Sequence, residues 1–433
     1  MKACIYTLGC RVNQYESDAI MQELKHLGVE IVSADREADV CVINTCSVTS
    51  ESDRKSKQII RRLISKNPSA KVIVTGCFSQ INPTKAAEIP GVSLVVGNND
   101  KSLIAKKAIE LYSSDTQSCQ IIQSDVMNGK FDVMCVGAPL TRTRAFIKIQ
   151  DGCDSRCAYC IIPKARGSVR SNSMENILAE AKTVVSQGCC EIVFTGIETA
   201  AYGKDLKNRH ALGDLLKKSN EIEGLERIRL GSLDPAAITR EFVDSIKNLS
   251  KIAPHFHISM QSGCTKTLNE MKRKYNIDMA RENISRLRDA FPTVMLSADV
   301  ITGFPGESDE DFEATLSFFE EQKFLHLHIF PYSKRAGTPA AEMKNQVPEE
   351  IKKERLHRLE AQQRRIKAGL LDAFVSATDK VSVLFETFDG EYVSGHTPNF
   401  IEVFAKGEPS MCGKIFEVKP THTNGDIVYG EIV

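Results

Sequence analysis

Short, almost uninterrupted apolar runs alternate with amphipathic stretches through the first part of the chain. ACIYTLGC, ADVCVINTC, AKVIVTGC and SLVVG are separated by YESDAIMQELKHLG, the basic segment DRKSKQIIRRLISK and a helical stretch near PTKAAEI. Runs that are apolar on both faces predict strands of a parallel, doubly wound sheet over residues 1–112, with the amphipathic segments as covering helices. Residues 113–138 read as a polar linker (SSDTQS) with short irregular strands. From 139 to 370 the alternation resumes, with candidate strands RAFIKIQ, EIVFTG, RIRLGS, HFHISM, VMLSADVI and LHLHIF. Six strand–helix units predict a partial (β/α)6 barrel whose chemistry gathers at the carboxyl ends of its strands. The helical stretch EEIKKERLHRLEAQQRRIKAGLL then leads into residues 372–433, where the apolar period drops to two in KVSVLFETF, EYVSGHT, FIEVFAK, KIFEVKPTH and DIVYGEIV. That pattern predicts a small β-barrel.

The cysteines fall on this framework in two sets. Cys10, Cys46 and Cys77 each follow a strand, in the turn before the next helix. In an open α/β sheet that edge binds ligands, and strands about 4.8 Å apart let three such turns converge on one object. Cys4 and Cys41 lie inside strands and read as small buried hydrophobes. The second set, Cys153, Cys157 and Cys160, has the spacing C-x3-C-x2-C directly after the first barrel strand. Three thiolates can hold three irons of a [4Fe–4S] cluster and leave the fourth open. Structural zinc sites instead pair two C-x2-C knuckles or two cysteines with two histidines. Here the nearest downstream histidine is His210, and no second knuckle follows.

Composition adds less. With 433 residues, 42% hydrophobic and 26% charged, the chain has the make-up of a soluble protein of several domains. No apolar run approaches the ~20 residues that span a bilayer. Fourteen cysteines behind an N-terminus without an export signal lead us to expect the cytoplasm and metal chemistry rather than disulfides. Formal net charge is zero, so composition does not announce a nucleic-acid partner. Charge is uneven, however. Arg54, Lys55, Lys57, Arg61, Arg62 and Lys66 stand against Asp53 in one helical stretch, which is either a solvated face or a cationic docking face. Residues 377–433 carry four lysines, no arginine and nine acids.

The stretches TLGCRVNQYES, VINTCSVT, VTGCFSQ, DGCDSRCAYCIIPKARG, QSGCTKTLNEMKRKY, DVITGFPGES and FPYSKRAGTPAA together resemble the methylthiotransferase family of radical S-adenosylmethionine (SAM) enzymes. The resemblance covers essentially the whole chain and is strongest to the enzymes acting on N6-threonylcarbamoyladenosine next to the anticodon in tRNA. It implies an auxiliary-cluster domain, a radical SAM barrel and a TRAM-type barrel, with two [4Fe–4S] clusters. Cys153, Cys157 and Cys160 would hold the cluster that binds SAM. An electron from a donor such as flavodoxin or ferredoxin would cleave SAM to a 5′-deoxyadenosyl radical, which abstracts hydrogen from C2 of the adenine. Cys10, Cys46 and Cys77 would hold the auxiliary cluster, whose open iron carries sulfur methylated by a second SAM.

Other residues follow from that resemblance. Tyr159 is expected either against the SAM adenine or in the core. Gly196, Ser232, Gln261 and Gly303 stand at strand ends as SAM-pocket candidates, although turn formation alone would explain the glycines. Arg166 and Arg170 are candidates for a phosphate or the threonylcarbamoyl carboxylate, which suits a bidentate guanidinium. The acidic C-terminal barrel leaves most tRNA affinity to the basic helix with Arg61 and Arg62, and to the segments 164–170 and 272–274. The alternatives are methylthiolation of isopentenyladenosine in tRNA or of a ribosomal-protein aspartate. A non-catalytic iron–sulfur electron-transfer or RNA-binding protein is the alternative outside enzymes.

Overall fold

The computed structural model describes every residue except 115–117, 135, 136 and 138–142. Its first unit is a parallel sheet of β1 (Lys2–Thr7), β2 (Glu30–Ile31), β3 (Val40–Thr45), β4 (Lys71–Gly76), β5 (Val92–Val96) and β6 (Gln120–Ile122), in the order β2-β1-β3-β4-β5-β6. The four apolar runs are its four central strands. β2 and β6 lack the apolar-run signal because they are edge strands of two and three residues. β6 comes from the stretch read as a linker with irregular strands.

Both faces of the sheet are covered, which is why its strands are apolar throughout. Tyr15, Ile20 and Leu24 of helix α1 (Arg11–His26) pack with Val40 and Val42 on one face. Ile60 and Leu63 of helix α2 (Ser50–Lys66) pack with Cys41 and Ile43 on the other. The Cys4 and Cys41 thiols are in contact at 3.2 Å, inside the sheet as expected.

The central unit contains β7 (Ala145–Lys148), a short antiparallel pair β8 (Gln150–Asp151) and β9 (Arg170–Ser171), then β10 (Glu191–Thr195), β11 (Arg227–Leu230), β12 (His255–Gln261), β13 (Met295–Thr302) and β14 (His326–Pro331). Two parallel three-stranded sheets, β7-β10-β11 and β12-β13-β14, are joined by bridges at Ile228–Ile252 and Leu233–Ile258. The expected partial barrel is therefore present, its six strands in chain order. Side chains alternate across it. Phe256, Ile258 and Met260 join the apolar core under the helices, so His255, His257 and Ser259 belong to the opposite, inner face.

Helix Glu349–Ala377 leads to a closed five-stranded barrel of β15 (Val381–Phe388), β16 (Tyr392–His396), β17 (Glu402–Lys406), β18 (Ile415–Thr423) and β19 (Val428–Ile432). It docks under the amino ends of the central strands. The Phe400 ring stacks between His255 and His396 (centroids 4.6 and 4.4 Å), with the Arg229 guanidinium 4.9 Å from its centroid. Arg229 also donates to the carbonyls of Pro398 and Thr397, both at 2.8 Å.

The first two units are joined by a buried ion cluster. Arg166 reaches Glu16 and Asp151 at 2.9 Å and Asn13 at 2.6 Å. Lys148 reaches the same two carboxylates at 3.0 and 3.2 Å, and Lys101 pairs with Glu16. Arg166, Lys101, Lys148, Glu16 and Asp151 are all essentially inaccessible. This corrects the sequence expectation for Arg166: its guanidinium is committed inside the protein and offers no face to a substrate carboxylate. Arg170 is likewise turned inward. It donates to the carbonyls of Val126 (2.6 Å) and Arg166 (2.8 Å) and pins the segment preceding the barrel.

Burial alone pushes the Glu16 carboxyl up, but Arg166, Lys101 and Lys148 together hold it well below its ordinary value. Asp151 is lowered in the same way. A carboxylate with a lowered folded pKa stabilises above its unfolded pKa and loses that contribution as pH falls. Glu16→Gln, which leaves buried cations underpaired, is expected to cost about 3–5 kcal/mol at pH 7. In urea titrations the gap to wild type should narrow as pH drops below ~4. A pH-independent gap would show that the Glu16 charge is not what matters.

Candidate active site

The turn after β1 places Cys10 at the start of α1, Cys46 follows β3, and Cys77 opens helix α3 (Cys77–Ile81) after β4. The three thiols occupy neighbouring positions on the carboxyl edge of one sheet. Cys10 is exposed, while Cys46 and Cys77 are buried. Gly9 allows the approach: its φ is +99°, and a Cβ there would stand 2.9 Å from Cys46 Cβ and 3.1 Å from its Sγ. Burial raises the Cys46 and Cys77 thiols, and Cys10 raises both further. Arg166 acts on Cys77 in the opposite direction. Asn98 Nδ2 lies 3.7 Å from Cys77 Sγ and also donates to the Ala165 carbonyl at 2.7 Å, so it links this edge to the loop of the second cysteine set.

That loop runs from β8 toward the short helix Ile162–Arg166. It is held by Cys153 N–H to the Gly167 carbonyl (2.9 Å), Ala158 N–H to Met271 (2.9 Å) and Ala340 N–H to Ala158 (2.8 Å). Cys157 Sγ accepts from Arg273 at 3.3 Å, and Cys153 Sγ accepts from the Ser155 N–H at 3.4 Å. Burial pushes the Cys160 thiol up to about 12, with Cys157 and Cys153 adding to the shift. Left free, the Cys160 thiol and the likewise raised Cys153 thiol would stay protonated at neutral pH. A metal that binds thiolate removes those protons outright.

Among the described residues, no three His, Cys, Asp or Glu side chains close on one point as a single metal ion requires. Thiolates that each grip a different iron of a cluster stand further apart than ligands sharing one ion. The surroundings suit an anionic group. Glu16 and Asp151 are outnumbered by Lys101, Lys148, Arg166 and Arg170 behind Cys77, and Arg273 lies against Cys157. Both sets therefore fit iron–sulfur ligation.

The remaining sequence candidates spread along the rim. Tyr159 packs with Ala158, Met271 and Phe304. Gly196 lies against Gln150, where a Cβ would meet Oε1 at 2.8 Å, and the Ser232 carbonyl accepts from Thr199 N–H at 3.3 Å. Gln261 ends β12 at a register shift with φ +65°, an uncommon conformation for a side-chain-bearing residue. Gly303 has a packing reason for being glycine: a Cβ at its φ of +69° would collide with Lys352 of the long helix. Glu198 escaped the sequence reading. Its carboxyl is pushed up to about 7 by burial and then Asp234, and it acts electrostatically on Cys153. Arg273 was seen only as part of a basic segment, although it contacts both Cys157 and Asp234. No spacing rule exposes either role, because the contacts are made across the barrel mouth.

Helix α2 borders the first cysteine set. Arg61 and Arg62 are exposed. Arg61 shares a groove of about 460 Å³ with Ser50, Asp53, Arg54, Lys57 and Gln58, and Lys57 Nζ lies 5.6 Å from the ring of Phe78, next to Cys77.

Comparison with known proteins gives this arrangement its family. Residues 147–319 match the radical SAM superfamily, and residues 2–97 match the family described as uncharacterized protein family UPF0004. The threonylcarbamoyladenosine tRNA methylthiotransferase MtaB of Bacillus subtilis is 40% identical over 417 residues, covering 96% of this chain and 92% of that protein. The chain belongs to the radical SAM methylthiotransferase family. This methylthiotransferase is an enzyme that transfers a sulfur-containing group, and its family uses SAM and iron–sulfur ligation. It is also 33% identical, over 99% of its length and 96% of the other's, to a tRNA-2-methylthio-N(6)-dimethylallyladenosine synthase of Clostridium botulinum. Among solved structures, the radical SAM methyltransferase TsrM of Kitasatospora setae shares the fold, with a TM-score of 0.56 at 15% identity over 78% of this chain and 73% of that one.

Two outcomes are expected of this methylthiotransferase. Gly9→Ala should displace Cys46 and lower the iron bound after anaerobic reconstitution relative to wild type; full iron would show that the turn tolerates a side chain. The sequence expectation that α2 docks tRNA is checked by reversing Arg61 and Arg62 to glutamate, which should then weaken tRNA binding and flatten the dependence of log K on log salt. An unchanged slope would remove α2 from the interface.

Proposed function

We propose that this enzyme methylthiolates C2 of N6-threonylcarbamoyladenosine next to the anticodon of tRNA, using two SAM molecules and two [4Fe–4S] clusters held by Cys10, Cys46, Cys77 and by Cys153, Cys157, Cys160. One observation carries the reading. Two three-thiol sets stand on the carboxyl edges of two sheets, and Asn98 and the Glu16–Arg166–Asp151 cluster bind those edges to each other. Bound there, the clusters and SAM would supply one-electron chemistry, sulfur and the methyl group. The chain's residues supply the rest. Arg273 and Asn98 aim donors at thiolates, and the C-terminal barrel closes the far end of the chamber. An aromatic C–H bond is too strong for acid–base chemistry at neutral pH, which is why a radical is needed.

The choice of base is supported by the higher identity to the threonylcarbamoyladenosine enzyme (40%) than to the dimethylallyladenosine one (33%). An anticodon-loop base is weakly stacked and can be turned into a pocket for a few kcal/mol or less. We place the enzyme in the cytoplasm, with a flavodoxin or ferredoxin as electron donor and a TRAM-type role in tRNA contact for the C-terminal barrel. The deciding experiment gives anaerobically reconstituted enzyme SAM, dithionite and anticodon stem-loops carrying threonylcarbamoyladenosine or isopentenyladenosine, with the ribosomal-protein substrate in parallel. The expected products are 5′-deoxyadenosine and a mass gain of one S–CH3 in place of hydrogen on the threonylcarbamoyl base. Absence of 5′-deoxyadenosine, or modification of another substrate instead, would overturn the proposal.

A further inference from the structure

The inner face of the central barrel is a chamber of charged and polar side chains, and almost every cation in it already has a carboxylate. At its amino end Arg144, Arg227 and Arg229 share Glu191. Lys148 and Arg166 share Glu16 and Asp151, and Arg273 holds Asp234. Arg11 is different. It is the first residue of α1, immediately after Cys10, and its guanidinium lies 5.7 Å from the ring centroid of Phe146 on β7. Phe146 pairs in register with Val193, and Val193 with Arg229, so Arg11 stands over the middle of the inner face. None of the described residues gives it a hydrogen bond or an ion pair. The nearby carboxylate, Asp299, is engaged by His257 at 3.1 Å.

The side chain is exposed, as are His326, His328 and Phe330, which occupy the inner-facing positions of β14. A guanidinium that is wetted over the inner face of the barrel hangs into an open chamber. Arginine cannot shed its proton there, so the chamber presents an unmatched positive fork. A backbone phosphate is an unsuitable partner, since the nucleic-acid backbone must stay outside the rim while only an everted base enters. An anion carried on the base itself meets both conditions.

We propose that Arg11 reads the substrate by pairing with the carboxylate on the N6 substituent of the adenosine, and so sets the enzyme's choice between carboxylate-bearing and neutral N6-modified bases. This rests on the threonylcarbamoyladenosine reading above and names the residue that enforces it. It also replaces Arg166 and Arg170, whose guanidinium groups are spent inside the protein. The Phe146 ring, 5.7 Å away, gives the guanidinium a cation–π contact, and the planar fork suits bidentate pairing with a carboxylate. Adjacency to Cys10 ties the recognised end of the base to the cysteine set proposed to deliver sulfur.

The test uses two anticodon stem-loops, one with threonylcarbamoyladenosine and one with its carboxamide, which keeps the shape and removes the charge. Binding to reconstituted enzyme is titrated without reductant, and kcat/KM is measured with it. Wild type should favour the acid by roughly 10- to 100-fold in both. Arg11→Gln should lose that factor on the acid while its constants on the carboxamide move little, so the ratio collapses toward one. Arg11→Lys, which keeps charge without the fork, should retain part of it. Iron content is checked in each variant, and if Arg11→Gln loses iron the lysine variant and the binding titration carry the comparison. An equal loss on both stem-loops, or a wild type indifferent to the carboxylate, would overturn the role of Arg11 while leaving the base assignment standing. A wild type inactive on both but active on isopentenyladenosine would overturn that assignment as well.

Discussion

The ion cluster formed by Glu16, Asp151, Lys101, Lys148 and Arg166 is the constraint on which the rest depends. It takes Glu16 from the first helix of the sheet domain and Asp151, Lys148 and Arg166 from the barrel, and it closes them away from water. In a low-dielectric interior such a set persists only if every charge is answered, and removing one member leaves the others costly. With Arg170 included, its cations exceed its carboxylates, and Cys77 lies within reach of Arg166 and Lys101. The charges that lock two domains edge to edge therefore also act on Cys77, opposing the burial that raises its thiol. Domain docking and the site's electrostatics are one problem with one solution.

The acidity of the C-terminal barrel has a related explanation. Glu386 pairs with Arg144 and with His396, and Glu191 of the central barrel lies against the same arginines. Part of the negative charge that looked unsuited to RNA is thus used at a domain interface. Phe400, with φ +70°, puts its ring among Arg144, Arg229, His255 and His396, where cation–π attraction adds to the hydrogen bonds from Arg229 to the loop's carbonyls. Domain closure at this end combines arginine, aromatic ring and carbonyl with the burial of Leu325 and Met295 against the core of the C-terminal barrel.

How much of this the sequence discloses depends on how local the cause is. Strands such as Val40–Thr45 and the six of the barrel are legible because their apolar pattern and their burial are the same fact. The two cysteine sets are legible because each thiol sits in a turn that the strand–helix alternation locates. Arg166 is not, since its partners Glu16 and Asn13 are 150 and 153 residues away and nothing in the loop IIPKARG signals an interior guanidinium. Glu198 and Arg11 share that difficulty. Each lies next to a recognisable motif, and its role is set by which strand of another sheet it faces.

The polarity of the inner face itself argues for occupancy. Lys148, Thr195, Arg229, His257, Ser297 and Asp299 occupy strand positions that alternate with fully apolar ones, so the strands could have packed a dry interior and did not. A chamber lined this way holds water until something with matching groups replaces it. The amino end is filled by Phe400 and its neighbours, which leaves the carboxyl edge, where both cysteine sets stand, as the side facing a ligand. On the reading proposed above, a base would enter from that side and meet Arg11 beside the first cysteine set.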